Sequence, residues 1–230
     1  LILWAGNTVA SKHKKDLPMF APYPSDQTYY MYQNDFFTYN SGDWTITTTE
    51  AGTGSATEAV TSSAGGALLL TNAAGDNDLD FLQLKGEGFK LSTSKRAYFS
   101  ARFKVSDATQ SDFVIGLGIT DTTPLDTTDG VFFLKADGGT GLDFLVEKDN
   151  SATTTSDVAT IADDTFIVTT WFIDPDTSKV YYSINNAEPV AVANTNLVTD
   201  EELTVSFGIQ NGEAAAKTMT IDYVVAAVER

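Results

Sequence analysis

The chain has 230 residues, with 14 Lys+Arg against 31 Asp+Glu, one histidine and no cysteine. That length fits one all-β domain with a core large enough to need no covalent staples, while the missing cysteines exclude disulfides, thiolate metal sites and cysteine nucleophiles, and His13 alone cannot build a Ser-His-Asp triad or a multi-histidine centre. A formal charge of −17 disfavours nucleic acids and anionic membranes as partners, and no apolar run approaches the roughly 20 residues of a membrane-spanning helix.

At the N-terminus, Leu1-Ile2-Leu3-Trp4 is apolar but too short for a signal-peptide core, and the lysines follow it instead of preceding it. Residues 1–32 carry a local charge of +1, so residues 33–230 carry −18. Pro18, Pro22 and Pro24 hold this segment extended and bar helix. A merely solvated tail is poor in aromatics, and this one is rich in them. Residues 1–32 are therefore expected to form an extended arm ahead of a domain at 33–230. Its Lys12, Lys14, Lys15, Phe20, Tyr23, Tyr29, Tyr30 and Tyr32 are the candidate partner-binding residues. The partner is its own domain, a second copy or another protein. His13, among those lysines, reads as part of a basic spot.

Beyond residue 33 the pattern is strand after strand. Trp44–Thr49, Ala67–Thr71 and Leu79–Lys85 come first. Arg96–Val105 alternates cleanly, with Ala97, Phe99, Ala101, Phe103 and Val105 on one face, as a half-buried antiparallel strand does. Phe113–Ile119 repeats the alternation, and Val131–Lys135, Leu142–Glu147, Phe166–Ile173, Val180–Ile184 and Pro189–Ala193 follow. Leu203–Ile209 and Met219–Ala227 close the series. Turn signals such as Asn40-Ser41-Gly42-Asp43, Asp137-Gly138-Gly139 and Asn185-Asn186 separate the strands. Short helical turns are expected near Pro124 and Asp200. The 32 threonines suit strands and not helices. About a dozen strands without helices predict an all-β, antiparallel two-sheet sandwich.

The run 96–105, the stretch Asp112-Phe-Val-Ile-Gly-Leu-Gly118 and the closing Met219-Thr-Ile-Asp-Tyr-Val-Val225 resemble the concanavalin A-like lectin/glucanase jelly roll. Residues 71–87, 101–133 and 200–230 further resemble a family of small virion proteins of tailed bacteriophages. That resemblance implies a non-enzymatic head protein, a decoration or cement protein on the capsid surface. It would be tied to the major capsid protein by the arm and would form a homo-oligomer, a trimer being attractive on a symmetric lattice. No catalytic residue, cofactor or metal comes with it.

Carboxylates are the only plentiful reactive groups. Asp78-Leu-Asp80 puts two acids on one strand face, the spacing of jelly-roll glycosidases, whose further Glu is Gln83 here. In the second such stretch the first acid is Gly141, and Glu147 is out of register by one. Asp76–Asp80 spaces oxygens like a calcium loop but lacks its Gly and terminal Glu, so a solvated turn is expected; Asp126 with Asp129 and Asp163 with Asp164 are weaker pairs. Tyr98, Trp171 and Tyr181 are placed opposite the core stripe, where rings stack on sugars or pack in an interface. A lectin-like module for host surface glycans is the second reading, and a glycosidase or lyase the third.

Overall fold

A computed structural model describes residues 28–230. Among these described residues there are sixteen strands: β1 (Tyr29–Asn34), β2 (Trp44–Thr49), β3 (Thr57–Val60), β4 (Leu68–Thr71), β5 (Leu79–Leu84), β6 (Phe89–Lys90), β7 (Ala97–Val105), β8 (Ser111–Gly118), β9 (Gly130–Lys135), β10 (Gly141–Lys148), β11 (Ser151–Thr160), β12 (Ile167–Asp174), β13 (Lys179–Ile184), β14 (Val190–Ala193), β15 (Glu202–Asn211) and β16 (Thr218–Glu229). They form two antiparallel sheets. The first runs β14-β13-β12-β7-β16-β4-β3, with β1 also on β16; the second runs β11-β10-β9-β8-β15-β5-β2, with β6 also on β15. The chain is an all-β sandwich of two antiparallel sheets.

The alternation read from the sequence sets the inner faces. Phe99, Ala101, Phe103 and Val105 of β7 meet Phe113, Ile115 and Leu117 of β8 and Val205, Phe207 and Ile209 of β15 in one continuous core. Phe103 and Phe113 pack edge to face at 5.3 Å between ring centres, and Trp44 packs on Phe207 at 5.1 Å.

The structure departs from the sequence expectations in four places. The arm boundary at 32/33 falls inside β1, whose Tyr29–Asn34 pair with Glu229–Val224 of β16. Both faces of β1 find apolar neighbours, so its sequence lacks alternation. Strands β3, β6 and β11 were not anticipated. The ten-residue β11 is an edge strand with no fully buried residue, so its threonines left no apolar stripe to read. A 3₁₀ turn forms at Pro124–Asp126, but no helical turn forms at Asp200; the second one lies at Ser41–Asp43, where the Asn40 side chain accepts from the Gly42 N–H.

Trp171 is the fourth correction. It shares a face with Ile167, Thr169 and Ile173 of β12 and is fully buried in the core, stacked on Phe99 at 5.9 Å. The outer row of the same strand, including Val168 and Phe172, is equally apolar, so hydrophobicity alone gave the strand no side.

Candidate functional site

The outer face of the second sheet is where the glycosidase comparison is tested. Strand parity already divides its residues. Asp80, Leu82 and Leu84 point between the sheets, while Leu79, Phe81 and Gln83 point outward. The acid-rich stretch therefore splits across the sheet, and no pair of carboxyls faces one outer surface at this strand.

Gln83 lies only 1% exposed beneath the loop that follows β8. Its Nε2 donates to the Ile119 carbonyl at 2.8 Å, and its Oε1 accepts the Asp121 N–H at 3.1 Å. Glu87 adds an acceptor for the Thr120 N–H at 2.6 Å. The loop so held buries Pro124 and lays Leu125 on an outer cluster of Leu79, Phe81, Val114 and Phe132. Glycines make room for this layer: a Cβ at Gly208 would come within 2.5 Å of the Phe81 ring, and one at Gly130 within 3.0 Å of the Phe132 ring. Glu147 also lies on this outer face, opposite Gly130, where burial and the charges of Asp126 and Asp129 push its carboxyl up.

The acids of the calcium-like spacing serve other ends. Asp78 accepts backbone N–H groups of Ala51 (2.6 Å), Gly52 (2.9 Å) and Gly75 (2.7 Å), with the Ala51 bond first in holding its carboxyl below the usual range. It fastens the two turns to β5. Asp129 accepts the Asp149 N–H, Asp163 the Ala108 N–H, and Asp164 pairs with Lys104. Among the described residues no three acid, histidine or cysteine side chains converge as a metal site.

An open cleft of about 530 Å³ lies at one end of the sandwich, lined by Tyr30, Lys90, Leu91, Ser92, Thr93, Lys95 and Thr199. The Tyr30 hydroxyl donates to the Lys90 carbonyl at 3.2 Å, and its ring lies 5.9 Å from Phe89. Lys90 Nζ is fixed between the Asp200 carbonyl and the Glu202 carboxylate, each at 2.9 Å. The cleft thus offers hydroxyls, an ammonium group on Lys95 and the edge of an aromatic ring. Neither motif nor alternation marked it: the run 90–95 is a polar turn like many others, and only the fold brings Tyr30 and Thr199 against it.

Of the candidate arm residues, Tyr29, Tyr30 and Tyr32 sit in β1. Tyr30 and Tyr32 pack against the core, Tyr32 edge-on to Trp44 at 6.2 Å, and Tyr29 joins Tyr98, Phe172 and Ala227 on the outer face of the first sheet. Tyr181 stacks on Phe172 there at 4.8 Å. Tyr98 and Tyr181 are thus outward, as expected, but packed against neighbouring side chains. Lys12, His13, Lys14, Lys15, Phe20 and Tyr23 lie outside the described residues.

No family model matches the chain, and no curated protein does. Solved structures do. The chain is similar to the carbohydrate recognition domain of Emp47p, with a TM-score of 0.60 at 14% identity over 89% of this chain and 98% of that one. It is similar to an endo-1,3-beta-glucanase from Streptomyces sioyaensis, with a TM-score of 0.59 at 14% identity over 91% and 99%. Peanut lectin matches with a TM-score of 0.54 at 13% identity over 87% and 97%. These identities speak to architecture alone. The fold is the concanavalin A-like jelly roll that lectins and glucanases share.

Proposed function

We propose that the chain is a non-catalytic, lectin-like module that binds carbohydrate. The observation that carries the reading is Gln83. Hydrolysis of a glycosidic bond by this fold needs two carboxyl groups flanking the sugar on one face. Here the outward position on β5 is an amide, and both its ends hold a loop down over that face. The named structural neighbours include a carbohydrate recognition domain, a lectin and a glucanase, which supports a carbohydrate ligand. The cleft at Tyr30, Ser92, Thr93, Lys95 and Thr199 supplies the hydroxyl and ammonium donors that sugar hydroxyls pair with.

The test is a panel of immobilised glycans probed with the wild type and with Thr93→Ala and Lys95→Ala, which change exposed side chains. Binding to at least one glycan, weakened several-fold by these substitutions, is expected. The same protein incubated with β-glucans, agar and alginate should release no reducing ends. Turnover on any of them would reject the reading, as would the absence of binding across the panel. The virion reading rests on the sequence resemblance, and no feature of the geometry favours it. Its own test is whether a particle carries the chain in stoichiometric ratio to a major capsid protein.

A further inference from the structure

Asp80 is wholly buried, and neither of its oxygens receives a hydrogen bond from an N–H or hydroxyl donor. It points inward from β5, between Thr48 of β2 and Ile209 of β15. Facing it is Glu58, which points inward from β3 of the opposite sheet, where its strand partner is the buried Leu70. The Tyr39 hydroxyl donates to Glu58 Oε2 at 3.2 Å, and Glu50, just past β2, adds a second nearby negative charge. A desolvated carboxylate with no donor is costly, and two facing carboxylates cannot both ionise cheaply.

We propose that a proton held on Asp80 closes a clasp with Glu58 between the two sheets, and that losing this proton releases the β3 edge. β3 is well placed to respond. It is four residues long, among the described residues it pairs only with β4, and three of its side chains are exposed. Its ties across the sandwich include the contacts Glu58 makes with Tyr39 and Asp80. With the proton in place, the Asp80 O–H donates to a Glu58 oxygen and both carboxyls are satisfied. Without it, the charges on Glu58, Asp80 and Glu50 repel one another across the gap.

Burial first, then the Glu58 charge and the shared hydrogen bond, then Glu50, push Asp80 up to about 8. The folded-state value lies above the 3.8 of a free aspartate. The clasp's contribution is therefore complete below about pH 4. It declines as pH rises and is gone once pH passes the folded-state value. The Tyr39 hydroxyl is raised too, chiefly by burial and then by the Glu58 charge, so it stays a donor throughout this window.

The direct test follows the Asp80 side-chain carboxyl by carbon NMR across pH 3–9. A midpoint above pH 6.5 is expected, and one near 4 overturns the proposal. Hydrogen exchange of the β3 and β4 amides, corrected for intrinsic rates, is then compared at pH 6 and pH 9. Protection should fall at least tenfold in the wild type and hold in Asp80→Asn, whose amide donates to Glu58 at any pH. Equal loss in both proteins, or no loss in the wild type, overturns it. The thermal midpoint of the wild type should drop by on the order of 5 °C relative to Asp80→Asn between these pH values. Should Asp80→Asn fail to fold, Glu58→Gln carries the test: removing the facing charge must move the Asp80 midpoint down, and an unmoved midpoint overturns the clasp.

Discussion

Gln83 shows how one side chain decides between two chemistries. Its amide donates to the Ile119 carbonyl and accepts from the Asp121 N–H, two opposite demands that a carboxylate cannot meet. Gln83→Glu restores the acid of the glycosidase spacing, yet it should produce no hydrolysis, because the side chain stays under the loop and Asp80 lies on the other side of the sheet. It should instead destabilise by about 1–3 kcal/mol, the cost of a buried acceptor set against a carbonyl. That corresponds to a melting midpoint lower by roughly 2–10 °C. Once protonated, the introduced carboxyl can donate to Ile119, so the variant should approach wild-type stability near pH 4 and fall away as pH rises. Melting both proteins at pH 4 and pH 7 checks this, and a deficit independent of pH would mean the loop is held by something else. The sequence carried half of this result. A period of two puts residue 83 on the opposite strand face from residues 78 and 80, so the separation of Gln83 from the two acids follows from the alternation. The roles of Asp78 and Gln83 were not legible, since most of their partners lie in remote turns, at 51–52 and 119–121.

Among elements, the legible strands are those with one apolar and one polar face, such as β7 and the outward-facing threonines of β2. Strands that break the pattern were misread or missed. β11 is exposed on both faces, and β12 is apolar on both, which put Trp171 on the wrong side. β1 matters most, because the division of the chain into an arm at 1–32 and a domain at 33–230 would leave a chain beginning at Gln33 intact. The structure gives Tyr29, Tyr30 and Tyr32 to the body. Removing them strips four of six strand pairs from β16, uncovers Phe89 and Trp44, and leaves part of the Tyr98 and Phe172 cluster bare. Burying an aromatic side chain is worth about 1.5–3 kcal/mol, and these three are only partly enclosed, so a total of roughly 3–6 kcal/mol is at stake. A chain starting at Gln33 should therefore melt on the order of 10 °C lower than one starting at Thr28. A difference of under 2 °C would show that β1 is an ornament on a self-sufficient sandwich.

For the whole molecule, the balance to be weighed is between self-repulsion and ion pairing. Residues 33–230 carry −18. Against this stand pairs such as Lys90–Glu202, Arg96–Asp176, Lys104–Asp164 and Lys148–Asp200, each with at least one well-exposed partner. Exposed pairs of this kind contribute about 0–1 kcal/mol apiece and are screened by salt. Lys217, with Asp107 at 2.8 Å and Glu213 at 2.5 Å, is the enclosed exception and is screened little. Across the chain the acids outnumber the cations, 31 to 14, and their mutual repulsion acts over the ~30 Å Debye length of a 0.01 M salt solution but over only ~3 Å at 1 M. Screening therefore removes more repulsion than attraction. The melting midpoint at pH 7 should rise by several degrees as sodium chloride goes from 10 mM to 500 mM, most of the rise coming below about 150 mM, where the Debye length is still ~8 Å or more. Potassium chloride should act alike, since screening depends on ionic strength and not on the cation. A midpoint that falls with salt would place the surface pairs, and not the excess negative charge, in control of stability; a rise with one cation only would point to a bound ion.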